Sequence, residues 1–262
     1  MKVFENILYT SVDYPVTKAG SRTLLDLCLP DDCTDSTPVV VWFHGGGITG
    51  GDKNGDPGSI VRKLAESGIA AASCNYRLYP DAKYPDFLVD AAEAVAWCRA
   101  NMPKYSGIDG WHGKVFAGGE SAGAYITQML CFDKTWLGRF GIDPDTEIAG
   151  WIHGGGQPTA HFNVLAERGI DPKRVRVDER APLFHIDRST FAPMVLLTST
   201  KDIPGRMRQN QLVEATLRHF GFTGEIDLRI IEGQHCSYCH PNIDDGIIPV
   251  VEIMKEFVGK YR

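Results

Sequence analysis

The 262-residue sequence has no apolar run near the roughly 18 residues that a bilayer span needs. It also has no excess of positive charge. With 27 basic against 33 acidic side chains and a formal net charge of -6, it offers no electrostatic footprint for a phosphate backbone or anionic lipid, so nucleic acid and membrane are not expected partners. No linker, low-complexity tract or tandem repeat interrupts the chain, and a single domain over residues 1–262 is expected. The seven cysteines are an odd number, and Cys28, Cys74, Cys98 and Cys131 sit inside apolar segments as small hydrophobes, which points away from a disulfide framework and toward a reducing compartment. The stretch Met1 to Thr10 lacks the continuous apolar segment of a secretory signal, which makes a cytoplasmic location the expectation. An apolar fraction of 43% with 23% charged residues fits a globular chain. A domain of this size buries roughly three quarters of its unfolded surface.

Apolar runs of strand length alternate with helical patterns, the signature of a mostly parallel sheet with helices on both faces. Asn6 to Asp13 and Leu24 to Leu29 read as an antiparallel lead-in hairpin. Further strands are expected at Val39 to Phe43, Ile69 to Asn75, Lys114 to Ala117, Ile148 to Ile152, Met194 to Thr198 and Ile226 to Ile231. Helices are expected from Pro85 to about Asn101, with Phe87, Ala91, Val95 and Cys98 on one face, and over Ala124 to Leu130, Arg206 to Phe220 and Ile247 to Val258. The stretch from Gln157 to Asp187 has no strand character. It reads as a lid or pocket-wall insertion carrying a short amphipathic helix around Phe162, Leu165 and Ala166.

The sharpest signal is Gly119-Glu120-Ser121-Ala122-Gly123, a G-x-S-x-G pattern between a strand and a helix. A nucleophile at the tip of a tight strand-to-helix turn takes a strained backbone conformation, so the residues two away on either side must be small; Gly119 and Gly123 are. The helix that follows points free N–H groups at a bound carbonyl oxygen, which makes the Ala122 N–H the first expected oxyanion donor. His44-Gly45-Gly46-Gly47 follows an earlier strand, and its glycines allow backbone N–H groups to converge on one oxygen, with Gly45 and Gly46 the expected donors. The tetrapeptide recurs as His153-Gly154-Gly155-Gly156; chain order favours the first copy, and His153 is left as a pocket-lining candidate. Glu120 reads as a hydrogen-bonding neighbour of the nucleophile at the pocket, with no role as an acid.

A serine hydroxyl needs a base to accept its proton, and that base an acid to orient it. Asp202 just after one late strand and His235 just after the last supply both in the required chain order. Asp178, Glu179 and Asp187 are alternative acids, and His240 an alternative base. Cys236-Ser237-Tyr238-Cys239-His240 matches a haem-attachment pattern and, with His235, resembles a metal cluster. Four ligands within six consecutive residues close poorly around zinc, so no metal and no cofactor is expected.

These pieces, together with Gly51-Asp52-Lys53 and Tyr76-Arg77-Leu78 with Pro80, resemble the hormone-sensitive-lipase-like and BD-FAE-like carbohydrate-esterase branch of the α/β-hydrolases, from about residue 24 onward. The resemblance implies an α/β-hydrolase fold with a mostly parallel eight-stranded sheet, and hydrolysis of a small carboxylic ester, acetyl, aryl or feruloyl, through an acyl-enzyme. The partner would be a small-molecule ester. Ile48 stands where many such enzymes have tryptophan, and Cys236 follows the histidine where glycine or phenylalanine is frequent, so Gly47, Ile48 and Cys236 are expected at the pocket. Formamide hydrolysis of the kynurenine-formamidase type is the nearest alternative chemistry. A noncatalytic ligand receptor on the same fold is the alternative from another class.

Overall fold

In the central strands the alternation of side chains sorts residues to two cores. A computed structural model of the chain describes residues 1–14 and 21–262. Its strands are β1 (Lys2–Leu8), β2 (Leu24–Leu29), β3 (Val39–Phe43), β4 (Ala70–Cys74), β5 (Val115–Glu120), β6 (Gly150–Gly154), β7 (Met194–Lys201) and β8 (Ile226–Gln234). The helices are α1 (Asp56–Glu66), α2 (Asp86–Ser106), α3 (Ala122–Phe132), α4 (Thr135–Gly138), α5 (Phe162–Glu167), α6 (Arg206–His219) and α7 (Pro249–Tyr261). The eight strands form one sheet in the order β1-β2-β4-β3-β5-β6-β7-β8, with the two pairings of β2 antiparallel and the rest parallel. Val39, Val41 and Phe43 face the core under α2, α3 and α6, whereas Val40 and Trp42 face the core under α1 and α7. This is the α/β-hydrolase fold.

Several boundaries differ from the sequence reading. The first strand starts at Lys2 and ends at Leu8, earlier than the expected Asn6 to Asp13, because this edge strand is largely exposed and carries little alternation. Residues 15–20, within the expected hairpin connection, lie outside the described residues. β5 continues through Gly118 and Gly119 to Glu120, and so delivers residue 121 to the carboxyl edge of the sheet. α1 has no counterpart in the sequence reading; its glycine-rich lead from Gly50 to Gly58 hides the apolar set Ile60, Val61, Leu64 and Ala65 that buries against the sheet. Every residue of α3 is buried, the polar Thr127 and Gln128 included, so it lacks a solvent-facing side.

The segment 157–187 carries α5 and a 3-10 turn at Pro182–His185. Val164 and Leu165 are its buried helical residues; Ala166, expected on that face, is exposed. The segment is tied down by Tyr125 Oη donating to the Arg180 carbonyl at 2.8 Å and by the Tyr84 N–H donating to Glu167 Oε2 at 3.1 Å. The Asn163 side-chain amide donates to the Gly47 carbonyl, which ties α5 to the loop after β3.

Candidate active site

Between β5 and α3 the chain reverses within one residue. Ser121 sits there at φ 52°, ψ −110°, outside the ordinary regions for a residue with a side chain. The turn closes only because its flanks are bare. A Cβ on Gly123 would lie 2.1 Å from the Phe43 carbonyl oxygen, and one on Gly119 would lie 2.6 Å from the Gly123 backbone. The Ser121 N–H is held by the Gly154 carbonyl at 2.6 Å, which anchors the bend to β6.

Three side chains meet at this edge. Ser121 Oγ lies 2.9 Å from His235 Nε2, and His235 Nδ1 lies 2.5 Å from Asp202 Oδ1. With the Asp202 carboxylate accepting the Nδ1–H, Nε2 is left as the acceptor for the serine proton. The carboxylate is 2% exposed and accepts further bonds from Thr198 Oγ1 at 3.0 Å and from the N–H groups of Ser199 and Ile203 at 3.1 and 2.7 Å. Burial alone would raise its pKa; the histidine contact and the two backbone donors outweigh that and hold it below the usual value, so it stays ionised beneath the imidazole. The alternative acids lie elsewhere: Asp178 pairs with Arg168 and Arg176, Asp187 is exposed, and the Glu179 side chain is exposed beside Arg180. The alternative base His240 pairs with Asp56 at 3.0 Å, half exposed.

The loop after β3 is held by a polar scaffold that the sequence reading did not anticipate. Arg22, 5% exposed, spans His44 Nε2 at 3.0 Å, the carbonyls of Tyr76 and Gly51, and Asp52 Oδ2 at 2.8 Å. Since the guanidinium only donates, His44 Nε2 accepts, and its Nδ1–H donates to the Gly45 carbonyl at 2.6 Å. Burial, together with Arg22, lowers the His44 pKa to about 4, so the ring is neutral. It stacks on Tyr76, whose hydroxyl donates to the His44 carbonyl at 2.9 Å. Beneath, Asn75 links Asp52 to the Lys53 N–H, and the Lys53 ammonium pairs with Asp26 at 2.7 Å. No local motif marks Arg22 or Asp26; each meets its partner, Asp52 and Lys53 respectively, in the loop that follows β3.

The expected oxyanion donors divide. The Gly45 N–H lies 3.5 Å from Glu120 Oε1, at the outer limit of a hydrogen bond, which gives Glu120 its expected part as a hydrogen-bonding neighbour. Burial raises the Glu120 pKa, against the lowering pull of Cys239 and the Gly45 N–H. Among the described residues, neither the Gly46 N–H nor the Ala122 N–H has a partner in the fold. Gly46 itself, at φ 102°, has no room for a side chain, since a Cβ would lie 2.3 Å from the Gly50 carbonyl oxygen.

A cavity of about 400 Å³ holds Ser121, His235, Gly45, Gly46, Glu120 and Cys236, with Asp52, Asn54, Asp56 and His240 on its polar wall. A second, of about 520 Å³, is lined by Gln157, Thr159, Phe162, residues 172–175, Ile203, Pro204, Arg206 and Gln209. Three of the expected pocket residues line neither. His153 is fully buried in β6 against Trp151, with Nδ1 bonded to Thr127 Oγ1, and burial lowers its pKa to about 3. Ile48 packs into the core, and Gly47 is covered by Phe162 and Asn163 of α5. The causes differ: His153 lies within β6 and is projected inward by strand alternation, whereas Gly47 and Ile48 lie in the turn after β3, with α5 capping the glycine. The Cys236 thiol lies 3.6 Å from His235 Nε2, but burial pushes its pKa up to about 12, so it is no thiolate. No group of three or more metal-ligating side chains occurs among the described residues.

Residues 25–139 match the BD-FAE family model. The Mycobacterium tuberculosis protein named "Probable carboxylic ester hydrolase LipM" is 33% identical over 101 residues, 38% of this chain and 23% of that protein, so the chain spans well under two thirds of this curated relative. The propionate-bound esterase Est2 of Thermogutta terrifontis superposes with a TM-score of 0.74 at 22% identity, covering 98% of this chain and 93% of that one. A truncated carbohydrate esterase from gut microbiota gives 0.78 at 16% identity, covering 100% and 96%. No helix among the described residues is long and apolar enough to cross a membrane. With its sheet order, its strained serine turn and these likenesses, the chain has the α/β-hydrolase fold, and its residues 25–139 resemble the BD-FAE family.

Proposed function

We propose that the chain is a serine hydrolase acting on small carboxylic esters through an acyl-enzyme. The observation that carries this reading is the continuous relay from Ser121 Oγ to His235 Nε2 at 2.9 Å and from Nδ1 to Asp202 at 2.5 Å. As Ser121 Oγ attacks the carbonyl carbon, its proton passes to His235 Nε2, and the imidazolium is stabilised by the ionised Asp202. The carbonyl oxygen, now negative, takes the N–H groups of Gly46 and Ala122. Collapse expels the alcohol, which leaves with the proton from Nε2. Water, deprotonated by the same nitrogen, then attacks the acyl-serine and releases the acid.

The relatives and solved neighbours named as esterases support this class. The polar wall of the cavity beside Ser121, with Asp52, Asn54 and Asp56, suits an alcohol portion rich in hydroxyls, such as a sugar. Its volume of about 400 Å³ suits small acyl groups. The test is a panel of acetyl, butyryl, feruloyl and acetylated-sugar esters, with N-formylkynurenine included to separate ester from formamide cleavage. Ser121→Ala is expected to lose turnover by about 10⁶ with unchanged thermal stability, and a fluorophosphonate to label Ser121 alone. A variant that keeps most of its activity, or label elsewhere, overturns the assignment.

A further inference from the structure

The second cavity carries a charge pattern that ester hydrolysis does not require. Arg206 on its wall is 4% exposed, yet no carboxylate lies within 4 Å of its guanidinium among the described residues. Its bonds go to two neutral oxygens, the Gly155 carbonyl at 2.5 Å and Gln157 Oε1 at 3.3 Å. Asp202, the acid that acts on it through space, is already committed to His235. Lys173 and Arg174, both exposed, also line the cavity, and none of its lining residues is acidic. The first turn of α6, which starts at Arg206, also holds no acidic side chain, so its N-terminal partial charge adds to the same sign. Burying a cation with no carboxylate in direct contact is costly, and a guanidinium, with five N–H donors, has donors left beyond its two bonds that a carboxylate can accept. Phe162, Val175, Ile203 and the two prolines give the rest of the wall an apolar surface that suits a short carbon chain.

The cavity adjoins the reacting groups from two sides. Gly155, whose carbonyl Arg206 holds, lies against the catalytic histidine: a Cβ there would be 3.0 Å from His235 Cε1. Ile203 follows Asp202 directly, and Phe162 abuts Gly47 of the oxyanion loop.

We propose that this cavity is a substrate subsite for a carboxylate carried on a short apolar arm, with Arg206 as the residue that selects it. The proposal rests on the ester-hydrolase reading and deepens it: the substrate is an anionic ester. Two matched pairs test it. The first compares p-nitrophenyl hydrogen glutarate with p-nitrophenyl hexanoate, and the second 4-acetoxybenzoate with its methyl ester. In one pair the anion is expected to have a kcat/KM at least tenfold above its neutral partner. The ratio should fall to one or below in Arg206→Gln and be partly kept in Arg206→Lys. A ratio is read because Arg206 also holds Gly155, so any loss common to both substrates cancels. Should Arg206→Gln not fold, Lys173→Glu with Arg174→Glu, both on the exposed wall, is expected to lower the ratio severalfold. Monomethyl glutarate binding followed by NMR in the Ser121→Ala background, at least tenfold weaker once Arg206→Gln is added, reads the cavity without turnover. Neutral esters turned over with a ratio at or below one in both pairs overturn the subsite and leave the hydrolase standing. Absence of all turnover and of fluorophosphonate labelling, with monomethyl glutarate still bound through Arg206, overturns the hydrolase and leaves the anion site standing. No binding and no preference sinks the subsite outright.

Discussion

Residues 25–139 hold the glycine loop that follows β3 and Ser121 at the end of β5, on strands whose residues are almost all fully buried between two helical layers. Residues 140–262 contribute Asp202 and His235 from the β7 and β8 end of the sheet, where β8 is an edge strand with half its side chains toward solvent. The same later half supplies the walls of the cationic cavity. The groups that position the reacting oxygen are thus set in the most constrained part of the molecule. The groups proposed to move the proton and to select the substrate stand where loops can change at little cost to the core. The match to the BD-FAE family model lies in the first part, over residues 25–139.

The largest expected effect challenges the later half. Asp202→Asn keeps the hydrogen bond but favours the wrong tautomer of His235, and kcat is expected to fall by about 10⁴ with little change in Tm. Retention of turnover within tenfold would mean that the late loops do not carry the relay. Next, Lys53→Met leaves the buried Asp26 carboxylate uncompensated under the oxyanion loop, and a destabilisation of about 3–5 kcal/mol is expected in urea unfolding. A smaller loss, under about 1 kcal/mol, would show that the first half does not depend on this pair.

The third effect is graded by pH, and its single-histidine share is the smallest of the set. His44 in the first half, with a pKa of about 4, and His153 and His161 in the second, each near 3, are held neutral by burial, against 6.5 when unfolded. Below pH 6.5 the unfolded chain therefore takes up protons that the folded chain refuses, so their stability is complete above that pH and drains away as pH falls toward these lower values. Each should cost about 1.4 kcal/mol per pH unit within that window. Denaturant titrations at pH 7.5 and 5.5 are expected to show the loss, and His153→Gln to reduce it by one histidine's share. Equal stability at the two pH values would contradict the neutral, buried state of all three.

The strands with continuous apolar runs and the G-x-S-x-G turn were legible because each is a local pattern with a local cause: alternation for β3, absent side chains for Gly119 and Gly123. Asp202 and His235 could be nominated because strand ends impose an order on loops. The partner of the Gly45 N–H could not, since it depends on which way Glu120 turns across 75 residues of sequence separation. His153 was misplaced for a related reason: its tetrapeptide repeats that of His44, but a register of one residue decides whether such a side chain meets the site or the core. Arg22 and Arg206 bear no sequence mark at all, because a buried cation is recognised only by what surrounds it.

The bare flanks of the serine bend also limit how this protein can diversify. Neither glycine can acquire even a methyl group without driving strand, helix and neighbouring carbonyl apart, so inheritance has one editable letter in the middle of that motif and two fixed ones beside it. New reactivity would have to arrive by exchanging the alcohol itself or by reshaping distant loops, while the hinge that presents it stays as it is.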